Sequence, residues 1–458
     1  MSTEFFWHYP EAIPLKRVQW LSRILRQNYG LFTRLQASPN KSHRLEHPKL
    51  PGQILIQDHR EARSAKPKPW IPDIPIKSDH PLVEPSLPVI RGKFLSNHDY
   101  VIWEDANSVE IGVDIFSAIF TMLSREEEYK ANQRDRYHRY AAHYSRAYKE
   151  SFLDRPIVDE YMEVLWAYIQ KIWPLTERKR RTGTIRYSCD VDVPIDPASR
   201  SLKEFVTRFS ADLVKRKSPR QAIDRCLNCV EVFKGHLDRD PNYKFQFIFD
   251  QIEHLPQPSV FYFLSTLKIG KGQGWYKITD SVIKKLLERI SNAGHVIGLH
   301  GSLGSFRDPN QLSQELQLLE RACSEVGISD TITHNRQHYL QFDIKSTPDI
   351  LEANGITHDS SGGYADCAGF RFGTAIPFPM WSWSKKEGLG LIQQPLICME
   401  ASLLASQYMN LKHFPDAYEY ANKLKTRALA FGGDFTLLWH NSHLKSMDDQ
   451  RMLEALLS

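Results

Sequence analysis

Residues 279–300 read TDSVIKKLLERISNAGHVIGLH, and this stretch decides the fold class. TDSVIKKLLERISNAG predicts a helix over 279–294, with Thr279 as its cap and Gly294 as its stop. HVIGLH follows at 295–300 as a short apolar strand that ends on a histidine. The same alternation extends in both directions. TIRYSC (184–189), KFQFIFD (244–250) and VFYFLS (260–265) read as strands, and residues 201–216 and 219–237 as helices. Downstream come a helix over 311–327 ending at Gly327, the strand ITHNRQHYL (332–340), a short helix over 347–355 and a last strand, FTLLWHNS (435–442). Strands alternating with helices over residues 182–458 predict an α/β domain with parallel pairing, either a barrel or an open sheet.

The segments before it are different. Residues 61–90 hold seven of the 26 prolines, which fix φ and remove backbone donors, so this stretch is expected to be an extended linker. An amphipathic helix is predicted over residues 15–26 and a strand at YVIWED (100–105). IGVDIFSAIFTMLSREEEY (111–129) and RPIVDEYMEVLWAYIQKIWP (155–174) read as packing helices, the second starting at Pro156 and stopped by Pro174. The expected division is an N-terminal domain over 1–110, a helical lead-in over 111–181 and a large domain over 182–458.

Composition narrows the function classes. The 458 residues carry 59 Lys+Arg against 54 Asp+Glu, a net charge of +5 that does not point to nucleic acid. Six cysteines are too few for a disulfide framework and fit a reducing compartment. The N-terminus has no signal-peptide pattern and no long apolar run occurs, so a cytoplasmic protein without a membrane span is expected. No GxSxG elbow and no GxGxxG fingerprint is present. Cys226 and Cys229 form a lone CxxC in a helical pattern, and residues 177–181 are a basic run at a domain junction.

Three polar clusters sit where predicted strands end. Asp190 and Asp192 point to one face of a strand, which suits either a metal ligand beside a base or a solvated turn. His300 precedes a small-residue turn and suits either a metal ligand or a structural role. His440 ends an apolar strand and suits an acid or base, or a strand end meeting solvent. The order of these clusters, with Arg336-Gln337-His338-Tyr339 between them, is the more specific signal. SCDVDVP, IGLHGS, NRQHYL, THDSSGGYADCAGFRFGT and LLWHNS together resemble the polysaccharide deacetylase (NodB-homology, carbohydrate esterase family 4-like) family, in a bacterial surface-polysaccharide branch with a DVD motif.

That resemblance implies a distorted (β/α) barrel and a metal-dependent amide hydrolase. The expected reaction removes an acetyl or formyl group from the nitrogen of an amino sugar in polysaccharide or glycoconjugate biosynthesis. It implies that Asp190 is the base, Asp192 and His300 are metal ligands, and His440 protonates the leaving amine. The family's second histidine, four residues after the first, is replaced here by Gly304. His338 is the candidate third ligand, with His334, Asp366 and His358 as alternatives. Arg336 is expected to orient the base or bind substrate, and the Tyr339 backbone N–H to face a developing oxyanion. Tyr364, Asp366 and Arg371 are expected to contact the sugar, and Trp381 and Trp383 either to stack on it or to be core. The implied cofactor is one divalent metal, Zn2+ by preference, with Co2+, Mn2+ or Fe2+ as alternatives. Other readings are a non-catalytic carbohydrate-binding scaffold and a hydrolase of a small non-sugar amide.

Overall fold

The computed structural model describes residues 3–59, 68–74, 81–96, 99–266, 269–270 and 273–458. Parts of the expected linker, residues 61–67 and 75–80, lie outside them. The described remainder is not a free linker, since Trp70 and Leu87 are buried and bridge to each other.

Two sheets organise the chain. The first comprises β1 (Glu4–Pro10), β2 (Phe32–Ser38), β3 (Ser42–Glu46), β4 (Gln53–Gln57), β5 (Val101–Asp105) and β6 (Ser108–Ile111), in the order β2-β1-β3-β4-β6-β5. The parallel pair β1–β2 is joined by the helix Leu15–Tyr29, which ends at Gly30 in the left-handed region (φ 69). Alternation decides the buried face, as in β4, where Ile54 and Ile56 are buried.

The second sheet has nine strands: β7 (Ile185–Val191), β8 (Val260–Phe263), β9 (Val296–Gly301), β10 (His334–Gln337), β11 (His358–Asp359), β12 (Phe378–Ser382), β13 (Glu387–Gln393), β14 (Cys398–Met399) and β15 (Phe435–Leu438). Their order is β12-β13-β11-β10-β9-β8-β7-β15-β14, all parallel except the edge strand β12. The expected barrel is therefore not closed by backbone pairing among the described residues. The two edges of the sheet are β12 and β14. Contacts nonetheless link the segments flanking β12 and β13 to the one before β15: Asp434 N donates to the Ala375 carbonyl at 2.9 Å, and Gln394 Nε2 donates to Asp434 Oδ2 at 3.4 Å. The free edge is covered by the helix Leu15–Tyr29, whose Trp20 and Asn28 side chains both donate to carbonyls of the 377–379 segment at 2.9 Å.

Several local expectations change. KFQFIFD is not a strand; Phe245–Ile252 is a helix, because Phe245, Ile248 and Ile252 share one buried face at helical spacing. The helix expected over 111–129 breaks after Leu123, where Arg125 is buried with φ 52. The helix expected from Thr279 starts at Ser281, since the Asp280 carboxylate is engaged by Lys277 N and Arg200. The strand expected over 332–340 stops at Gln337 and turns sharply.

Asp159, in the helix Ile157–Ile172, ties the two halves of the molecule together. It accepts from Tyr29 Oη at 2.6 Å and from Thr374 Oγ1 at 2.8 Å. Burial pushes its carboxyl up to about 7. The native state then keeps a proton that the unfolded chain releases near pH ~4. Between those values the native state binds more protons, so this residue's contribution to stability falls as pH rises. Asp159→Asn is expected to flatten the loss of stability between about pH 4.5 and 7. Urea midpoints of both proteins at the two pH values check this, and equal slopes would contradict it.

Candidate functional site

The site forms at the C-terminal ends of the parallel strands, where such sheets place their functional side chains. β7 alternates faces, so Ser188 and Asp190 point together and Asp192 follows on the same side just past the strand end. Arg336, on β10, reaches across β9 and β8 to them. Its Nη1 donates to Asp190 Oδ1 at 2.9 Å and to Ser188 Oγ at 2.8 Å, while Nη2 donates to Ser360 Oγ at 2.8 Å. The guanidinium lies 4.5 Å above the ring of Tyr262. All of Arg336 is buried, so its charge is neutralised by an equally buried carboxylate.

His300 is fixed by the same residue. The register pairs Arg336 with His300, and His300 Nδ1 lies 2.8 Å from the Arg336 carbonyl. A carbonyl only accepts, so Nδ1 donates to it and Nε2 is left to face the cavity. That Nε2 faces Asp192 Oδ1 at 3.3 Å and Asp190 Oδ2 at 3.6 Å. His338 comes in from the turn after β10, with Nε2 3.4 Å from Asp192 Oδ2. One ligand atom each from Asp192, His300 and His338 lies within 4.8 Å of the other two. Asp192 Oδ1 and His300 Nε2 are buried and lack hydrogen-bond partners, which is the state expected of donors shaped for a cation. Burial works against the Asp192 charge, but His338 and His300 hold its carboxyl well below the usual range.

Gly304 has φ 97, and its N–H donates to Gln341 Oε1 at 2.9 Å. A histidine there would strain the turn, and the turn after β10 supplies the imidazole instead. His334 does not compete. It points into a separate cavity at the other end of β10 and stacks on His358 at 4.7 Å.

His440 follows β15 and lines the same cavity of about 180 Å³ as Asp190, Asp192, His300, His338 and Tyr339. Its Nε2 is 3.7 Å from Asp192 Oδ2, and its Nδ1 is 2.5 Å from Glu400 Oε1. Glu400 begins a short helix after β14 and is buried. It also meets His443 Nδ1 at 2.6 Å. Neither Glu400 nor His443 was expected. The spacing His440-Asn-Ser-His443 was a visible hint, whereas Glu400 comes from 40 residues away with no motif around it. Burial disfavours the charged His440, but the Glu400 carboxylate overrides this and pushes the imidazole up to about 10.

Other expected contacts fall elsewhere. Arg371 is buried and bonds Glu128 through Nε and Nη2, and Tyr364 Oη accepts from Arg125. Both are taken up in a core ion-pair network, away from the cavity lining, because the glycine-rich segment folds inward rather than forming a surface loop. Asp366 accepts from Ala142 N at 2.9 Å, also off the cavity. Trp381 is buried against Trp20, and Trp383 stacks on Tyr129 at 4.1 Å. The 177–181 run is ion-paired, Arg178 to Glu163 and Arg181 to Asp434, each at under 3 Å. Tyr339 does border the cavity, and with Leu340 it makes two successive non-glycine residues of positive φ, 59 and 54. Such residues cost about 1–3 kcal/mol each and persist where the surroundings hold them. Here Arg139 Nη1 donates to the Tyr339 carbonyl at 2.8 Å and Tyr137 stacks on its ring at 4.7 Å.

Residues 18–174 match a family model described as a family of unknown function, DUF7033. The match covers the region before the site and carries no activity. No curated protein matches the chain. Among solved structures, a Mycobacterium smegmatis protein assigned as a polysaccharide deacetylase is similar at 15% identity, over 60% of this chain and 82% of that one, with a TM-score of 0.39. Puue allantoinase is similar at 12% identity, over 46% and 64%, with a TM-score of 0.32. At such scores the overlaps assign neither family nor activity to this chain.

The Glu400–His440 contact gives a prediction. Histidine NMR of metal-free protein is expected to show His440 still protonated well above neutral pH. Glu400→Gln is expected to lower that titration by more than about one unit. An unmoved titration would remove Glu400 as the cause.

Proposed function

We propose that this protein is a metal-dependent amide hydrolase that removes an N-acyl group, acetyl or formyl, from an amino sugar in surface-polysaccharide or glycoconjugate assembly. The observation that carries the reading is the convergence of Asp192, His300 and His338, with buried unpartnered donor atoms, beside Asp190 and His440. The sugar comes from the resemblance of SCDVDVP, IGLHGS, NRQHYL and LLWHNS to the deacetylases.

The donor set of one carboxylate and two imidazoles suits a divalent cation of the Zn2+ type. Such an ion supplies Lewis acidity toward the acyl carbonyl when bound. The remaining roles belong to the chain itself. Asp190 Oδ1 is occupied by Arg336, which leaves Oδ2 on the cavity side to accept a proton from the attacking water. His440, held as an imidazolium by Glu400, carries its other proton on Nε2, toward Asp192 and the cavity, where it can pass to the departing amine. Acid and base are thus separate groups, each held by its own partner. Arg336 acts through Asp190 and is a positioning residue.

Metal analysis after reconstitution tests the ligand set. Asp192→Ala, His300→Ala and His338→Ala are each expected to lose most of the bound metal. Asp190→Asn is expected to keep the metal and to lose more than about 100-fold in turnover on N-acylated amino sugars. Full metal in all three alanine variants, or unchanged turnover in Asp190→Asn, would contradict the assignment.

A further inference from the structure

The two helices Leu202–Val214 and Pro219–Phe233 form a hairpin inserted between β7 and β8, starting ten residues after Asp192. Their amphipathicity is inverted. The first helix exposes Leu202, Val206 and Leu213, and the second exposes Ile223, Leu227, Val230 and Phe233. Both sets recur at i, i+4 and i+7 or i+11, so each is a continuous stripe, and each faces solvent. With Val214, these are eight of the 17 exposed large hydrophobic side chains among the described residues. Leu202 and Phe233 are 77% and 76% exposed. The contact between the helices and with the body uses other residues. Asp212 is buried and bonds Arg216 and Arg225, Arg225 also reaches Asp196, and the small Ala222 and Cys229 fill the inner face.

The hairpin also carries a basic surplus. Residues 201–235 contain eight Lys/Arg and four Asp/Glu, a surplus of four against five for all 458 residues. Lys203, Lys215, Lys217 and Arg220 are exposed beside the apolar stripes, while Arg216 and Lys234 pair with Asp212 and Glu231. None of the described helices is long and apolar enough to cross a membrane. Apolar stripes flanked by lysine and arginine suit the interface of a bilayer, where the side chains enter the headgroup boundary and the cations meet anionic lipid.

We propose that this hairpin docks the protein on the surface of an anionic bilayer. The charge decides between occupants. A second copy packed on the same face by a twofold axis would bring two surpluses of like charge together. Anionic lipid removes that repulsion and covers the same apolar residues. The inference is independent of the hydrolase reading, because it uses no residue of the site.

Vesicle flotation tests it with the full chain. Vesicles of phosphatidylcholine containing roughly 30% phosphatidylglycerol are expected to carry the protein, and pure phosphatidylcholine vesicles to carry far less. Leu227→Glu/Phe233→Glu is expected to reduce binding to the anionic vesicles by about tenfold or more, with an unchanged melting temperature. A charge-only variant, Lys215→Glu/Lys217→Glu, is expected to weaken binding and remove its salt dependence. No binding of the wild type to anionic vesicles would overturn the proposal. So would unchanged binding of both variants, or a dimer in solution that Leu227→Glu/Phe233→Glu converts to monomer.

Discussion

One residue, Arg336, holds the candidate site together. Its guanidinium pins Asp190 on β7, and its backbone carbonyl pins Nδ1 of His300 on β9. Two residues further on, the turn after the same strand delivers His338. The arrangement needs β10 in one register only, because a shift by a single residue would turn Arg336 to the other face of the sheet. The buried charge of Arg336 makes that register costly to leave, since a guanidinium without Asp190 would be an unpaired charge in the core. Packing order and site geometry are therefore one constraint.

The second organising feature is a division of charge across the cavity. Asp190 answers to Arg336, and His440 answers to Glu400. Each of the two groups thus has its own buried partner. Asp192 lies between them and faces three imidazoles at 3.3–3.7 Å. This central carboxylate, with the orphaned nitrogen of His300, makes the cavity a candidate metal centre rather than a packed polar cluster. The departure at Gly304 is accommodated within the same geometry, since the imidazole missing from one turn is matched by one from the turn after the neighbouring strand.

Much of this was legible in the sequence, for identifiable reasons. The helix and strand of residues 279–300 were visible because period and punctuation agree, and Asp190, Asp192, His300 and His440 stood out because each ends an apolar strand. What failed depended on long-range packing. Phe245–Ile252 carries strand-forming residues but buries one helical face, and tertiary contact overrides propensity. Tyr364 and Arg371 sit in a glycine-rich segment that looks like a surface loop, yet Glu128 and Arg125 draw them into the core. Glu400 is invisible beforehand because β14 is only two residues long and its partner lies 40 positions away. Barrel closure was likewise not readable, since it depends on whether the edges β12 and β14 meet.

The central claim is that His338 completes a ligand set with Asp192 and His300. X-ray absorption at the zinc edge of the zinc-loaded protein tests it most directly, because it counts imidazoles around the ion. Two imidazoles are expected in the wild type, one in His338→Ala and two in His443→Ala. A wild-type spectrum with a single imidazole, or one that His338→Ala leaves unchanged, would contradict it.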